Sequence, residues 1–206
     1  MRPERIPLFP LDVVLLPGAS LPLHIFEPRY RQMVKRCLDE KSEFGVLLSL
    51  PKGLARVGCT AEILEVVQRY DDGRADILTV GRAIFRAVEL FTEKDLLEGR
   101  VDYLEDRESS HTLDKQQELI ELYETCYTLV FENYPKNIDG ELDAKLSHQI
   151  TGTLPMDLLY KQQILESRTE ADRQERLVAY LRDWALHLQN KKTLRQRAGG
   201  NGHGLN

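Results

Sequence analysis

The sequence predicts an α+β fold: a strand-rich half over residues 1–106, then a helical half over residues 112–190. Two observations carry this. Short apolar runs, broken by proline, glycine and an Asp-Gly turn signal, fill the first half. Apolar residues at helical spacing then dominate from residue 113 to residue 188. Strands followed by helices, without alternation, keep the two kinds of element apart and argue against a parallel βαβ sheet. The polar stretch between the halves reads as a hinge, and residues 191–206 as a flexible, basic and glycine-rich tail.

Six of the nine prolines lie at Pro3, Pro7, Pro10, Pro17, Pro22 and Pro28. Proline cannot donate to a sheet ladder, so strands here are short or lie at edges. Ile6–Phe9, Val13–Leu16 and Leu21–Ile25 fit such strands, with a turn at Pro17-Gly18. Pro28 suits a first helical turn. After it Tyr30, Met33, Val34, Cys37 and Leu38 repeat as one helix face, which predicts a helix over 28–40.

Strands resume at Phe44–Leu50 and Gly58–Tyr70. The alternation in the second slips at Ile63-Leu64, the mark of a bulge or of a strand buried on both faces. Asp72-Gly73 is a hairpin turn, because both residues tolerate positive φ. Ala75–Val80, Ala83–Leu90 and Arg100–Leu104 follow as strands, with Gly81-Arg82 as a break. So many strands, several limited to edges, favour a closed or nearly closed barrel. In the helical half a stripe from Leu119 to Tyr134 stops at Pro135, and a short helix covers Leu142, Leu146 and Ile150 up to Gly152. Another helix starts at Pro155. Thr169 and Asp172 form a capping pattern ahead of the face Leu177, Leu181, Trp184 and Leu188.

Hydrophobic residues make up 42% of the chain and charged residues 30%, the balance of a folded globular protein. The net charge of −5 weighs against a dedicated nucleic-acid binder, which needs a basic face. Cys37, Cys59 and Cys126 are odd in number, far apart and set in apolar patterns, so they read as reduced core residues in a cytoplasmic protein. No apolar run approaches the ~20 residues of a membrane span, and the N-terminus lacks the apolar stretch of a signal peptide, so no membrane partner is expected.

The sequence holds no recognisable catalytic constellation. The histidines, His24, His111, His148, His187 and His203, are dispersed and form no HExxH pair, so no metal site is expected, and His24 reads as a half-buried strand residue. Neither a phosphate-binding loop nor a nucleophile elbow is present, and no cofactor is expected. Gly199-Gly200-Asn201-Gly202 has no helix after it to cradle a phosphate. Asp39-Glu40, Asp71-Asp72 and Glu105-Asp106 sit at turns and helix ends, where charge is solvated. Arg29, Arg31, Lys35 and Arg36 spread around the polar side of the 28–40 helix. Such a face is ordinarily solvated, with partner binding as the competing reading.

Three stretches carry a resemblance. IPLFPLDVVLLPGASLPLHIFEPRYRQMV (Ile6 to Val34) resembles the opening of the Lon substrate-binding domain family. The block Gly58 to Leu90 matches its succession of strand, acidic-glycine turn, strand, Gly-Arg and strand, and Leu154 to Leu181 is similar to its helical part. The resemblance implies a PUA-like N-terminal barrel with one inserted helix, then a helical bundle. In full-length Lon proteases this domain precedes an ATPase module and a serine–lysine peptidase module and helps select unfolded or tagged substrates. No position here matches the phosphate loop or the peptidase dyad. The expectation is a free-standing, non-catalytic module that binds unfolded proteins or exposed apolar peptides, alone or with a separate protease.

The expected binding surface is Phe9, Leu15, Leu16, Leu23, Ile25, Phe26, Arg29 and Tyr30, because the first segment holds more apolar residues than one face needs and its short edge strands can accept an extended peptide. The alternative is an RNA-binding module, since PUA-like barrels elsewhere bind RNA; the acidic balance opposes it. A small-molecule binder or enzyme would require a deep pocket lined by converging polar groups.

Overall fold

The computed structural model describes residues 2–93, 95–107, 113–135 and 145–200. They form two compact units. One holds the described residues up to Arg107 together with 145–168, and the other holds 113–135 with 169–200. The helices therefore do not all group together, as a division near residue 106 predicts. The reason is local to the first unit. Leu165 is part of its main apolar core, and the side-chain amide of Gln162 donates to the Val57 carbonyl at 2.9 Å.

The first unit is a closed sheet. Its strands are β1 (Arg5–Leu11), β2 (Ser20–Ile25), β3 (Phe44–Leu50), β4 (Gly53–Leu54), β5 (Val57–Arg69), β6 (Ala75–Glu93) and β7 (Leu96–Tyr103). The ring runs β1-β7-β6-β5-β3 and closes where β1 pairs in parallel with β3, Leu8 opposite Gly45. β2 lies outside the ring path, antiparallel to the first part of β6, with Leu23 opposite Ile77. Both faces of the sheet are covered at β1 and β3, so adjacent strand residues such as Leu8 and Phe9 fall into different cores. Phe9, Ile25, Met33, Phe44, Ile77 and Leu165 belong to the main core, and Ile6, Leu8, Leu47 and Phe85 to a second, smaller one.

Helix α1 (Pro28–Glu40) matches its predicted span and buries Tyr30, Met33, Val34 and Cys37. Tyr30 stacks on Phe9 with ring centroids 4.0 Å apart, which fastens the helix to β1. Lys41 ends α1 in the left-handed region, where the Ser42 amide donates to the Cys37 carbonyl at 2.9 Å. The β5–β6 hairpin turns at Gly73 (φ +84°), as the Asp-Gly pair predicts.

Two local expectations fail for one reason. Val13–Leu16 is not a strand, and β6 does not break at Gly81-Arg82. The chain after Leu16 turns back over β6: the Gly18 amide donates to the Gly81 carbonyl at 2.8 Å, and the Gly81 amide to the Ala19 carbonyl at 3.0 Å. A Cβ on Gly81 would lie 2.1 Å from the Leu16 carbonyl oxygen. Glycine is there so that two backbones can meet, not to end a strand.

Helices α3 (Leu146–Thr153) and α4 (Leu158–Glu166) complete this unit. Pro155 was the expected start of α4, but Asp157 caps it, accepting from the Leu159 and Tyr160 amides at 2.9 and 3.1 Å. Leu142 lies outside the described residues.

In the second unit α2 (Leu113–Phe131) packs with α5 (Glu170–Gly200). Leu119, Tyr123 and Cys126 on α2 and Leu177, Leu181 and Ala185 on α5 are buried. α2 ends ahead of Pro135, because Glu132 takes a positive φ of 55°. Thr169 Oγ1 accepts from the Asp172 amide at 3.2 Å, the predicted cap of α5. α5 continues to Gly200, so residues 191–200 are helical where a flexible tail was expected; residues 201–206 lie outside the described residues. No helix among the described residues is long and apolar enough to cross a membrane.

Candidate functional site

Three neighbouring strands, β2, β6 and β5, build the face of the barrel that carries exposed apolar side chains. On β6 Ile77 and Thr79 are buried, so Asp76 and Leu78 point to the other side of the pleat. On β2 the matching outward residues are Pro22 and His24, which pair with Leu78 and Asp76. Phe26 follows just beyond the end of that strand. β5 would present only every second residue, but its register shifts between Ile63 and Glu65 and again between Val66 and Gln68. Each bulge inserts an extra residue, Leu64 and Val67, and turns it outward. Phe26, Leu64 and Val67 are 59%, 51% and 60% exposed.

A polar cluster crosses the same face. His24 Nδ1 lies 2.5 Å from Asp76 Oδ1, and the Tyr70 hydroxyl donates to Asp76 Oδ2 at 2.7 Å. The His24 ring sits 6.0 Å from Phe26 and 5.9 Å from Tyr70, and the Arg74 guanidinium lies 5.0 Å from the Tyr70 centroid. The Tyr70 hydrogen bond, and then that of His24, hold the Asp76 carboxyl below the usual carboxylate range. The same bond to Asp76 pushes the Tyr70 phenol up. His24 is thus exposed and paired with a carboxylate, where a half-buried histidine was expected.

Five of the eight residues expected to form the binding surface do not reach it. Phe9, Leu15, Leu16, Ile25 and Tyr30 are buried in the core. The apparent surplus of apolar residues is consumed because the sheet is covered on both faces at β1 and β3, with α1 and α4 contributing to the main core. Leu23 is half-buried, and only Phe26 and Arg29 are exposed, with Arg29 donating to Glu27 at 3.0 Å. Leu64 and Val67 were missed, although the slip in alternation at Ile63-Leu64 was their signal. The Tyr70–Asp76–His24 contacts have no sequence signal, because only strand register brings them together.

The described residues contain no group of three or more His, Cys, Asp or Glu side chains able to hold a metal ion. All three cysteines are buried and free. Burial pushes the Cys37 thiol up and the Cys126 thiol up to about 11, which opposes thiolate chemistry.

A family model for the substrate-binding domain of the ATP-dependent protease La (Lon) matches residues 5–183. The chain belongs to the Lon substrate-binding domain family. The Lon protease of Neorickettsia sennetsu is 26% identical over 213 residues, covering 94% of this chain and 26% of that protein. The Lon protease of Parabacteroides distasonis is 30% identical over 118 residues, covering 53% of this chain and 14% of that protein. The chain therefore spans about a quarter or less of these Lon proteases. The crystal structure of a Lon N-terminal domain protein from Xanthomonas campestris superposes with a TM-score of 0.66 at 26% identity, covering 85% of this chain and 98% of that one. The Lon family match supports recognition of substrate at the level of the family, and the α+β architecture agrees with it.

Proposed function

We propose that this Lon-type domain is a non-catalytic recognition module that binds exposed apolar segments of unfolded or partly folded proteins in the cytoplasm. It would act as an adaptor in proteolysis alongside a separate protease. The observation that supports the reading is the outward apolar set Phe26, Leu64 and Val67 on one face of the barrel. Apolar side chains grouped on a surface are a mark of protein contact. β2 borders this face and pairs only with β6 among the described strands, which leaves an edge for an extended segment to join; Pro22 removes one donor from that strand.

The test is a fluorescence titration with a reduced, carboxymethylated model protein. The wild-type chain is expected to bind it more tightly than an unrelated acidic domain does. The double variant Phe26→Ser, Val67→Ser should lose about 1–2 kcal/mol of that binding, the scale of a modest interface contribution. Equal binding by the wild type and the unrelated domain would sink the reading.

A further inference from the structure

A groove of about 490 Å³ lies between α1 and the tip of the β5–β6 hairpin, away from the polar cluster of His24 and Asp76. Its size falls within the roughly 300–1,000 Å³ of ligand clefts. Ile25 and Ala75, opposite each other at the ends of β2 and β6, line it together with Val34 and Leu38 from α1. These come from three elements; Ile25, Val34 and Ala75 are buried and form the floor, and Leu38 is half-buried. Arg31 and Lys35 on α1 and Arg69 at the end of β5 also line it, with Asp39 as the one acidic lining residue.

The cations differ in how far they are engaged. Lys35 reaches Asp39 at 3.4 Å. Arg31 sits against the hairpin turn, its Nη2 only 2.4 Å from where a Cβ on Gly73 would stand. Asp72, the nearby hairpin carboxylate, accepts from the Arg74 backbone amide and guanidinium at 3.1 and 2.6 Å, and the Arg31 charge adds to what holds its carboxyl below the usual carboxylate range. Among the described residues neither Arg31 nor Arg69 forms an ion pair within 4.0 Å or a side-chain hydrogen bond. Two exposed guanidinium groups, each able to grip a carboxylate through two parallel N–H groups, therefore border an apolar trough on a chain of net charge −5.

We propose that the α1–hairpin groove binds an apolar peptide segment bearing a carboxylate, its aliphatic side chains on Pro28 and Leu38, over a floor of buried Ile25 and Val34, and its carboxylate on Arg31 and Arg69. This rests on the reading of the chain as a protein-recognition module and names a chemical class for what it takes. The charge of the rim selects an anion, and the aliphatic trough selects a peptide over a phosphate backbone, which would leave those walls uncovered. The rim also accounts for part of the basic α1 face, which the apolar outer face does not use.

The experiment measures fluorescence anisotropy of three labelled probes on the full chain: a short leucine–glutamate peptide, its leucine–lysine counterpart and oligouridylate. The wild type is expected to prefer the glutamate peptide, with affinity falling as salt rises. Arg31→Glu with Arg69→Glu should weaken it by about tenfold and strengthen the lysine peptide, since both attraction and repulsion reverse. Both arginines are exposed, and circular dichroism of the variant checks that it folds. The variant Lys52→Ser, which removes an exposed cation in the β3–β4 turn, should bind the glutamate peptide as the wild type does. Equal affinity for the two peptides, no effect of the arginine reversals, or tighter binding of oligouridylate would each overturn the proposal. If the wild type holds the carboxymethylated protein while the arginine reversals leave peptide binding unchanged, the groove assignment alone fails. If it holds neither, the broader reading fails with it.

Discussion

Glu98 shows how one buried charge is made tolerable. Its side chain is only 7% exposed, yet it faces Arg5 from β1 at 2.5 Å and Arg36 from α1 at 3.0 Å. Burial on its own pushes the carboxyl up. The hydrogen bonds from Arg36 and Arg5, with their charges, outweigh that and hold it below its ordinary value of 4.5. A carboxyl depressed in the folded state stabilises fully above the unfolded value, and that contribution drains away as the pH falls through the lower folded value. Glu98→Gln should therefore cost about 1–3 kcal/mol at neutral pH, less than for a fully buried pair because both arginines are partly exposed. Urea unfolding followed from pH 7 to pH 3 checks this. The gap between wild type and variant should narrow below pH 4.5, and parallel curves would contradict the assignment.

At the scale of elements, the irregularities of regular structure place the candidate site. Without the two bulges in β5, strict alternation would turn one of Leu64 and Val67 inward and shrink the apolar set on the outer face. The end of α1 holds a second irregularity. Lys41 is exposed and takes φ 51°, a conformation that costs a side-chain-bearing residue about 1 kcal/mol relative to glycine. Lys41→Gly should raise stability by about 0.5–1 kcal/mol, read as a higher urea midpoint at unchanged slope. No gain would mean that the loop relaxes around the lysine at no cost.

At the scale of the molecule, the first unit is assembled from chain segments far apart in sequence. α4 returns to β5 from far along the chain, placing Leu165 in the main core and bonding Gln162 to Val57 across 105 residues. A fragment ending at Arg107 lacks both. It should lose about 2–5 kcal/mol, the cost of emptying one leucine site in a core, and should bind a hydrophobic dye and show a weak near-ultraviolet dichroism signal. A fragment ending at Arg168 should keep a cooperative unfolding transition. Equal transitions for the two fragments would mean that the barrel does not depend on α4.

Much of this was legible in the residues. The 28–40 helix, the Asp72-Gly73 hairpin and the Thr169 cap are local events, set by side-chain period, by tolerance of positive φ and by a hydroxyl within reach of its own backbone. Family membership was legible as well, because three blocks kept their order along the chain. What the residues could not decide was which apolar side chains face out. Phe9, Leu15 and Leu16 read as surplus, and a main core shared with α1 and α4 buried them. Leu64 and Val67 read as a slip in pattern, and register made them surface. Gly81 read as a strand break until the Leu16 carbonyl lay against it. Local order depends on neighbours within a few residues, whereas exposure depends on partners such as β1 with β3 and β2 with β6, whose meeting no single stretch of sequence records.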